Sequence, residues 1–287
     1  MDRLEAHRHF YAELVTTSAG AAKNERLKDA FASTPRERFA GTGPWKVFAG
    51  GNYVETPTDD PVFLYQDVVV GLAPERRINN GQPVLHAINL AALNVKQGEK
   101  VLHVGAGTGY YTAVLARLTG ATGTVVAYEV EHDLALNAIQ NLSDFSNATV
   151  QERSGSEAPL PVGDAIYVNA GATAPLDVWL DAPQLNGRLL FPLTPADGPG
   201  GMPGGGGMLL VTRTGSDRFD ARFVCSATFI PCFGARDEET AQKLSVAFER
   251  GDSRNVRSLR RNSHPDDTCW CAGDGRWLSN AELTSVL

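Results

Sequence analysis

Three glycines at alternate positions, Gly105, Gly107 and Gly109, follow the apolar run Val101-Leu102-His103-Val104 and precede a helical stretch through Thr112 to Leu118. Glycine reaches backbone angles that a Cβ forbids, and it lets a ligand lie directly on the main chain. The helix that follows points its N-terminal amides and positive dipole end at that ligand. The spacing narrows the ligand. A dinucleotide turn has the pattern G-x-G-x-x-G, whereas here Tyr110 occupies the slot of the third glycine. The Lys-Ser/Thr pair of a phosphate-binding loop is absent too. A G-x-G-x-G turn suits S-adenosylmethionine (SAM), whose methionine tail has no diphosphate to wrap. The next apolar run, Thr124 to Tyr128, ends at Glu129. A carboxylate there stands where a ribose presents its two hydroxyls. A second polar cluster, Asn79-Asn80-Gly81-Gln82-Pro83, precedes an apolar helix from Val84 to Leu93. Its amides supply both donors and acceptors, so it can present a carboxylate or amide site, or it can simply cap the helix.

The elements that must position these groups alternate. Residues 1 to about 35 read as two helices, the first with a stripe of Leu4, Phe10, Leu14 and Val15, the second with Leu27, Ala30 and Phe31 and an end at Thr34-Pro35. Gly41 to Pro44 and Gly50 to Asn52 punctuate a looped region, and Val68-Val69-Val70 is the clearest strand between Tyr53 and Val70. After Glu129 come a helix from Asp133 to Leu142 and strands at Ala148–Glu152, Ala165–Val168 and Arg188–Leu193, the last following an Asn186-Gly187 turn. This alternation predicts an α/β fold with a doubly wound, mostly parallel sheet, whose ligands sit beyond the carboxyl ends of the strands. Gly105, Glu129, Ser154 and Asn169 all fall at such ends. The organisation expected is an N-terminal helical and acceptor-loop region (1–83), a cofactor-binding region (84–235) and a C-terminal extension (236–287).

Composition bounds the function. The chain has 287 residues, 43% of them hydrophobic, enough for a sizeable core, and a net charge of -7. An acidic balance argues against nucleic acid or an anionic membrane as partner. No apolar run is long enough to span a bilayer and the first residues are polar, so a cytoplasmic protein is expected. The cysteines Cys225, Cys232, Cys269 and Cys271 form no C-x-x-C pair, and reduced thiols without a metal are expected. Gly198 to Gly207 reads as a floppy connection or a mobile lid. Glu238 to Arg250 reads as a helix burying Ala241, Leu244, Ala247 and Phe248, followed by Arg254, Arg257, Arg260 and Arg261 as a solvated basic face or an anchor for an acidic peptide. Thr268 to Leu278 reads as a small hairpin.

Several segments together resemble the protein-L-isoaspartate O-methyltransferase family. Asn24 to Phe31 with Thr34-Pro35-Arg36-Glu37-Arg38-Phe39 is similar to its N-terminal helix and V-P-R-x-x-F signature. Tyr65-Gln66-Asp67 resembles its Y-x-D, Gly81-Gln82-Pro83 its S-Q-P, and Val101 to Tyr110 its V-L-E-I-G-T-G-S-G-Y. Gly155-Ser156-Glu157 resembles its G-D-G-S-E, and Asn186 to Pro192 its P-G-G-R-L-V-V-P. The ordered set covers roughly residues 20 to 235. It implies a Rossmann-like SAM methyltransferase. His103, Gly105, Ala106, Gly107, Gly109, Tyr110, Glu129, Ser154, Gly155 and Asn169 would then line the cofactor, and Asn79, Asn80 and Gln82 would position the acceptor. Three departures stand out. Asn79, Asn80 and Gly81 replace the family's T-I-S, whose hydroxyls are expected to hold the acceptor carboxylate. His103 replaces an acid, and Ser154 replaces the Asp of G-D-G.

The expected activity is therefore SAM-dependent O-methylation of a carboxylate in a peptide or protein. Such a carboxylate has a pKa near 4 and is already ionised at neutral pH, so alignment with the sulfonium methyl suffices. A small-molecule or modified-peptide acceptor is the second reading, motivated by Gly81 and the extra C-terminal segment. A SAM-binding protein without catalysis is the third. The oligomeric state is open.

Overall fold

The computed structural model describes residues 2–196, 204–273 and 275–283 and divides the chain into two compact units, Met1–Arg153 and Ser154–Leu287. Most of the Gly/Pro connection read above, and Asp274 in the expected hairpin, lie outside the described residues.

The first unit begins with α1 (Arg3–Ser18), α2 (Glu25–Ala32) and α3 (Glu37–Ala40). The inner face of α1 is Tyr11, Ala12, Val15 and Thr16, whereas Phe10 is 65% exposed and Leu14 faces outward. The expected stripe was thus rotated by about one residue. The i, i+4 pair Tyr11/Val15 packs inward, with Tyr11 edge-on to Phe31 and Tyr65. The region expected to be looped is a hairpin, β1 (Lys46–Ala49) and β2 (Asn52–Glu55). Its two-residue turn, Gly50-Gly51, has φ of 62° and 87°, the turn conformation that matches the twist of paired strands. Val68-Val69-Val70 forms no strand of its own; it leans on this hairpin through a Val47/Val70 bridge and a bond from the Phe48 N–H to the Val69 carbonyl. A second short ladder, β3 (Gly71–Ala73) with β4 (Ile78–Asn79), leads into α4 (Pro83–Leu93).

Then come β5 (Lys100–Val104), α5 (Tyr110–Thr119), β6 (Thr124–Glu129), α6 (His132–Asn141) and β7 (Ala148–Glu152). β5 pairs parallel with β6, and β6 parallel with β7. Four consecutive buried residues, Val101 to Val104, mark β5 as covered on both faces, as a parallel strand must be. Each fully buried Val or Leu contributes on the order of 1.5–3 kcal/mol. α5 packs on β5 and β6, and α1 and α2 pack on α4.

The second unit holds β8 (Gly163–Val168), α7 (Asp177–Asp181), β9 (Pro183–Leu193), β10 (Gly206–Arg213), β11 (Arg218–Ala227), α8 (Glu238–Glu249), β12 (Ser258–Arg261), β13 (Cys269–Gly273) and β14 (Arg276–Ser279). β8 and β9 pair parallel; β9, β10, β11, β12, β14 and β13 then follow in antiparallel order. The α/β class expected from sequence is what the chain adopts. Parallel pairing holds for β5 to β7 and for β8 with β9, while later strands add antiparallel ladders. Asn186-Gly187 does not precede a strand but bulges within β9: Gly163 and Ala165 of β8 face Pro183 and Arg188. A Cβ on Gly187 would lie 2.8 Å from the Gln184 carbonyl, which explains the glycine.

α8 buries Ala241, Leu244 and Ala247 as expected, and Phe248 joins Phe223 and Trp270 in an edge-to-face cluster. The arginines that follow do not form a free basic face. Arg261 pairs with Asp177 and Asp181, Arg260 lies over the Trp277 ring, and Arg250 and Arg257 donate to main-chain carbonyls. Among the described residues, no helix is long and apolar enough to cross a membrane.

Candidate functional site

β5 delivers the chain to a turn in which Gly105, Gly107 and Gly109 have φ of 79°, 56° and 97°. Only glycine adopts such angles without strain. Space makes the same demand, because a Cβ at Gly109 would lie 3.0 Å from Leu142 Cδ1 and one at Gly107 would lie 3.3 Å from Leu72 Cδ1. The neighbouring strand end fixes the turn. The Gly105 and Ala106 N–H groups donate to the Tyr128 carbonyl at 2.9 and 3.1 Å, and the Gly109 N–H to the Ala106 carbonyl at 3.0 Å. Asn141 Nδ2 donates to the Thr108 carbonyl at 3.0 Å, and Thr108 Oγ1 to the Phe39 carbonyl at 2.5 Å.

Glu129, at the tip of β6, completes this cradle. Its Oε2 accepts from the Gly107 N–H at 2.6 Å, and its Oε1 from the Val130 and Glu131 N–H groups at 2.9 and 3.0 Å. The carboxylate is only 7% exposed. Burial pushes its pKa up, and the three amide donors oppose that shift. The result is a buried anion held against the glycine turn. The start of α5 lies on the same side, with its N-terminal dipole directed at the turn.

The amide-rich segment forms a second construction. Asn79 Oδ1 accepts from the Gly81 N–H at 2.9 Å, and the Tyr53 hydroxyl is hydrogen-bonded to the Asn79 side chain. Asn80 Oδ1 accepts from the Val70 N–H at 2.8 Å, while the Asn80 N–H donates to the Val70 carbonyl. Gln82 sits at the N-cap of α4 but does not cap it. Its Nε2 donates to Asp67 Oδ2 at 2.7 Å, and Asp67 Oδ1 accepts from the Val84 N–H at 2.8 Å. The capping oxygen of α4 therefore comes from Asp67, and Pro83 takes the first helical position, where no N–H is needed. All three predicted acceptor residues thus lie in one loop and shape it through these bonds.

The main chain on either side of Asp67 is held in turn by a buried cation. Arg36 is 2% exposed, and its guanidinium donates to the carbonyls of Leu64, Gln66 and Val68 while lying 5.3 Å from the Tyr11 ring centre and 5.7 Å from that of Tyr110. Tyr65 donates its hydroxyl to Glu37 and accepts from the Arg36 N–H. The Pro35-Arg36-Glu37 and Tyr65-Gln66-Asp67 segments therefore interlock to set the base of the acceptor loop. Sequence reasoning quoted these residues without giving them this role; a lone Arg and Asp carry no local signal of partners about 30 residues away.

His103 is completely buried, with Nδ1 2.8 Å from Thr112 Oγ1, and burial lowers its pKa to about 3. Its ring is therefore neutral and turned to α5. Tyr110 is also buried, its hydroxyl 3.4 Å from that of Tyr11. In the other unit, Ser154 Oγ lies 2.6 Å from Ser156 Oγ and accepts from the Ser156 N–H, and the Gly155 carbonyl accepts from Trp179 Nε1 at 2.7 Å. Asn169 follows directly on β8 and is partly buried.

Comparison with known proteins bears on both constructions. A family model described as protein-L-isoaspartate(D-aspartate) O-methyltransferase matches residues 12–232. The protein-L-isoaspartate O-methyltransferase of Methylorubrum extorquens (strain PA1) is 31% identical over 236 residues, covering 80% of this chain and 89% of that protein. That of Roseiflexus sp. (strain RS-1) is 30% identical over 222 residues, covering 74% and 86%. A solved protein-L-isoaspartate O-methyltransferase shares the fold with a TM-score of 0.63 at 18% identity, covering 93% of this chain and 86% of that one. A Plasmodium falciparum structure described as a putative protein-L-isoaspartate O-methyltransferase, in complex with S-adenosyl-L-homocysteine, does so with a TM-score of 0.60 at 17% identity, covering 78% and 97%.

Proposed function

This chain belongs to the protein-L-isoaspartate O-methyltransferase family, and from that premise we propose that it methylates the free carboxylate of an isoaspartyl residue in a peptide or protein. It is a SAM-dependent methyltransferase. The residues present fit that cofactor. The turn offers main chain where a Cβ at Gly107 or Gly109 would crowd its neighbours, and Glu129 presents a buried carboxylate at the end of the adjacent strand. Gly105, Ala106, Gly107 and Gly109 would cradle the cofactor, and Glu129 would accept from the ribose hydroxyls. Tyr110 contributes its main chain at the start of α5, and His103, completely buried, reaches that helix through Thr112. Ser154, Gly155 and Asn169 are proposed as further cofactor contacts on the motif argument alone.

SAM supplies an electrophilic methyl group on a sulfonium. The acceptor carboxylate is ionised at neutral pH, so the chain need not remove a proton. Its task is to align the acceptor and exclude water. The loop from Asn79 to Gln82, braced by Asp67, Tyr53 and Val70, is suited to that task. The bond between Glu129 Oε2 and the Gly107 N–H is the observation that carries this reading, because it fixes an anion against the turn that holds the cofactor. Incubating the purified protein with labelled SAM and an isoaspartyl peptide tests it. A base-labile methyl ester is expected; a base-stable product, or transfer only to non-carboxylate acceptors, overturns it. Gly81, which brings no hydroxyl to the loop, favours a different acceptor as the second reading, and a substrate panel separates the two.

A further inference from the structure

Gly81 has a φ of 72° and lies in the middle of the acceptor loop. A Cβ built on it would stand 2.2 Å from His86 Nε2, 2.9 Å from Cδ2 and 3.3 Å from Cε1. The imidazole edge already fills the space that any side chain at position 81 would enter. His86 belongs to the first turns of α4 and is 2% exposed. The face of its ring lies on Tyr111, with centroids 3.5 Å apart and planes inclined by 12°. Tyr111 is the second residue of α5, directly beyond the glycine turn. One flat ring therefore spans from the acceptor loop to the helix that carries the cofactor turn.

We propose that His86 is a positioning residue for the acceptor: its ring sets the placement of Gly81 relative to α5 and takes the space that a side chain at 81 would occupy. The proposal rests on the methyl-transfer reading above. The ring is neutral at physiological pH, because burial first, then the nearby His103 and Arg36, hold its pKa well below the usual value. It acts as a rigid wall and places no cation beside the acceptor. Positions 81 and 86 are then mutually exclusive: bulk at one is accommodated only when the other is small.

A double-mutant cycle of Gly81→Ser, His86→Ala and the two combined tests this. KM and kcat are measured with an isoaspartyl peptide, S-adenosylhomocysteine affinity by calorimetry, and Tm by thermal unfolding. His86→Ala is expected to raise the peptide KM about tenfold, with kcat and S-adenosylhomocysteine affinity within about threefold of wild type. Gly81→Ser is expected to raise KM by a similar factor, and the double variant to return closer to wild type than either single. Should His86→Ala fail to fold, His86→Val, which is shorter than the ring and leaves the space beside Gly81 open, takes its place in the cycle with the same expectations. Effects that simply add in the double variant, or a loss of cofactor affinity as large as the rise in KM, overturn the proposal. If wild type methylates no isoaspartyl peptide, that reading of the acceptor fails, and the Tm cycle decides the remainder: non-additive Tm values uphold the exclusion between 81 and 86, and additive values overturn it.

Discussion

The glycine turn and the acceptor loop each hold a short segment still in the first unit, and they do so by opposite means. Residues 105 to 109 are fixed through their own main chain, by bonds to Tyr128, Glu129 and Ala106. The loop from Asn79 to Gln82 is fixed by side chains, its own amides on Val70 and Gly81 and the distant carboxylate of Asp67, whose flanking carbonyls Arg36 holds. A main-chain device tolerates change in most side chains but not in its glycines. A side-chain device can change its surface residues so long as the bracing partners stay. Cofactor binding is therefore expected to respond to residues of the turn, and acceptor binding to residues remote from the loop.

Replacing Glu129 tests this division most severely. Glu129→Ala leaves the Gly107, Val130 and Glu131 amides without their acceptor, and bonds to a charged group contribute about 1.5–3 kcal/mol each. S-adenosylhomocysteine affinity measured by calorimetry should fall by about 10²–10³-fold. The acceptor KM at saturating SAM should stay within about threefold; a matching rise would erase the distinction between the two regions.

Acid probes both regions at once, because neutral buried imidazoles lie beneath each. The pKa of His103 falls from an ordinary 6.5 to about 3, and that of His86 falls as well. In the unfolded chain both rings take up a proton near pH 6.5, whereas in the folded chain they remain neutral. Stability should therefore drop as pH falls below about 6.5, by roughly 1.4 kcal/mol per pH unit for each ring. Urea unfolding at pH 6.5 and 4.5 should show a loss of about 2–5 kcal/mol. The raised pKa of Glu129 acts in the opposite direction, adding stability as pH falls through its folded value toward that of the unfolded chain. His103→Gln should flatten the acid limb; an unchanged slope would place the proton uptake elsewhere.

Gly109→Ala forces a φ of 97° on a residue with a Cβ and presses it against Leu142. A cost of about 1–2 kcal/mol should weaken S-adenosylhomocysteine about tenfold and leave the acceptor KM unchanged at saturating SAM. The smallest effect is expected from Asp67→Ala, which removes the capping oxygen of α4 and the Gln82 partner at about 1 kcal/mol. Its signature should be the reverse: acceptor KM raised about fivefold, S-adenosylhomocysteine affinity intact.

The same division explains what could be read from sequence. The turn, Glu129 and strands β5 to β8 were legible because glycine spacing and buried apolar runs are local patterns. The bracing of the acceptor loop was not. Asp67 caps a helix at an amide 17 residues later, and Arg36 meets carbonyls 28 to 32 residues on. No periodicity reports such pairs. The face of α1 was misread because Tyr11 and Thr16, both amphipathic, are buried while Phe10 is exposed. Arg261 read as part of a surface run because its acidic partners, Asp177 and Asp181, come more than 70 residues earlier.

Arg36 carries one further consequence. Guanidinium stays protonated at any accessible pH, and here it lies in the interior on three carbonyls and two aromatic rings. Lifting residues 64 to 68 away would strand a bare cation in an apolar setting. This stretch is therefore an immobile post. Any movement of the acceptor loop that admits an isoaspartyl chain would therefore have to leave residues 64 to 68 in place.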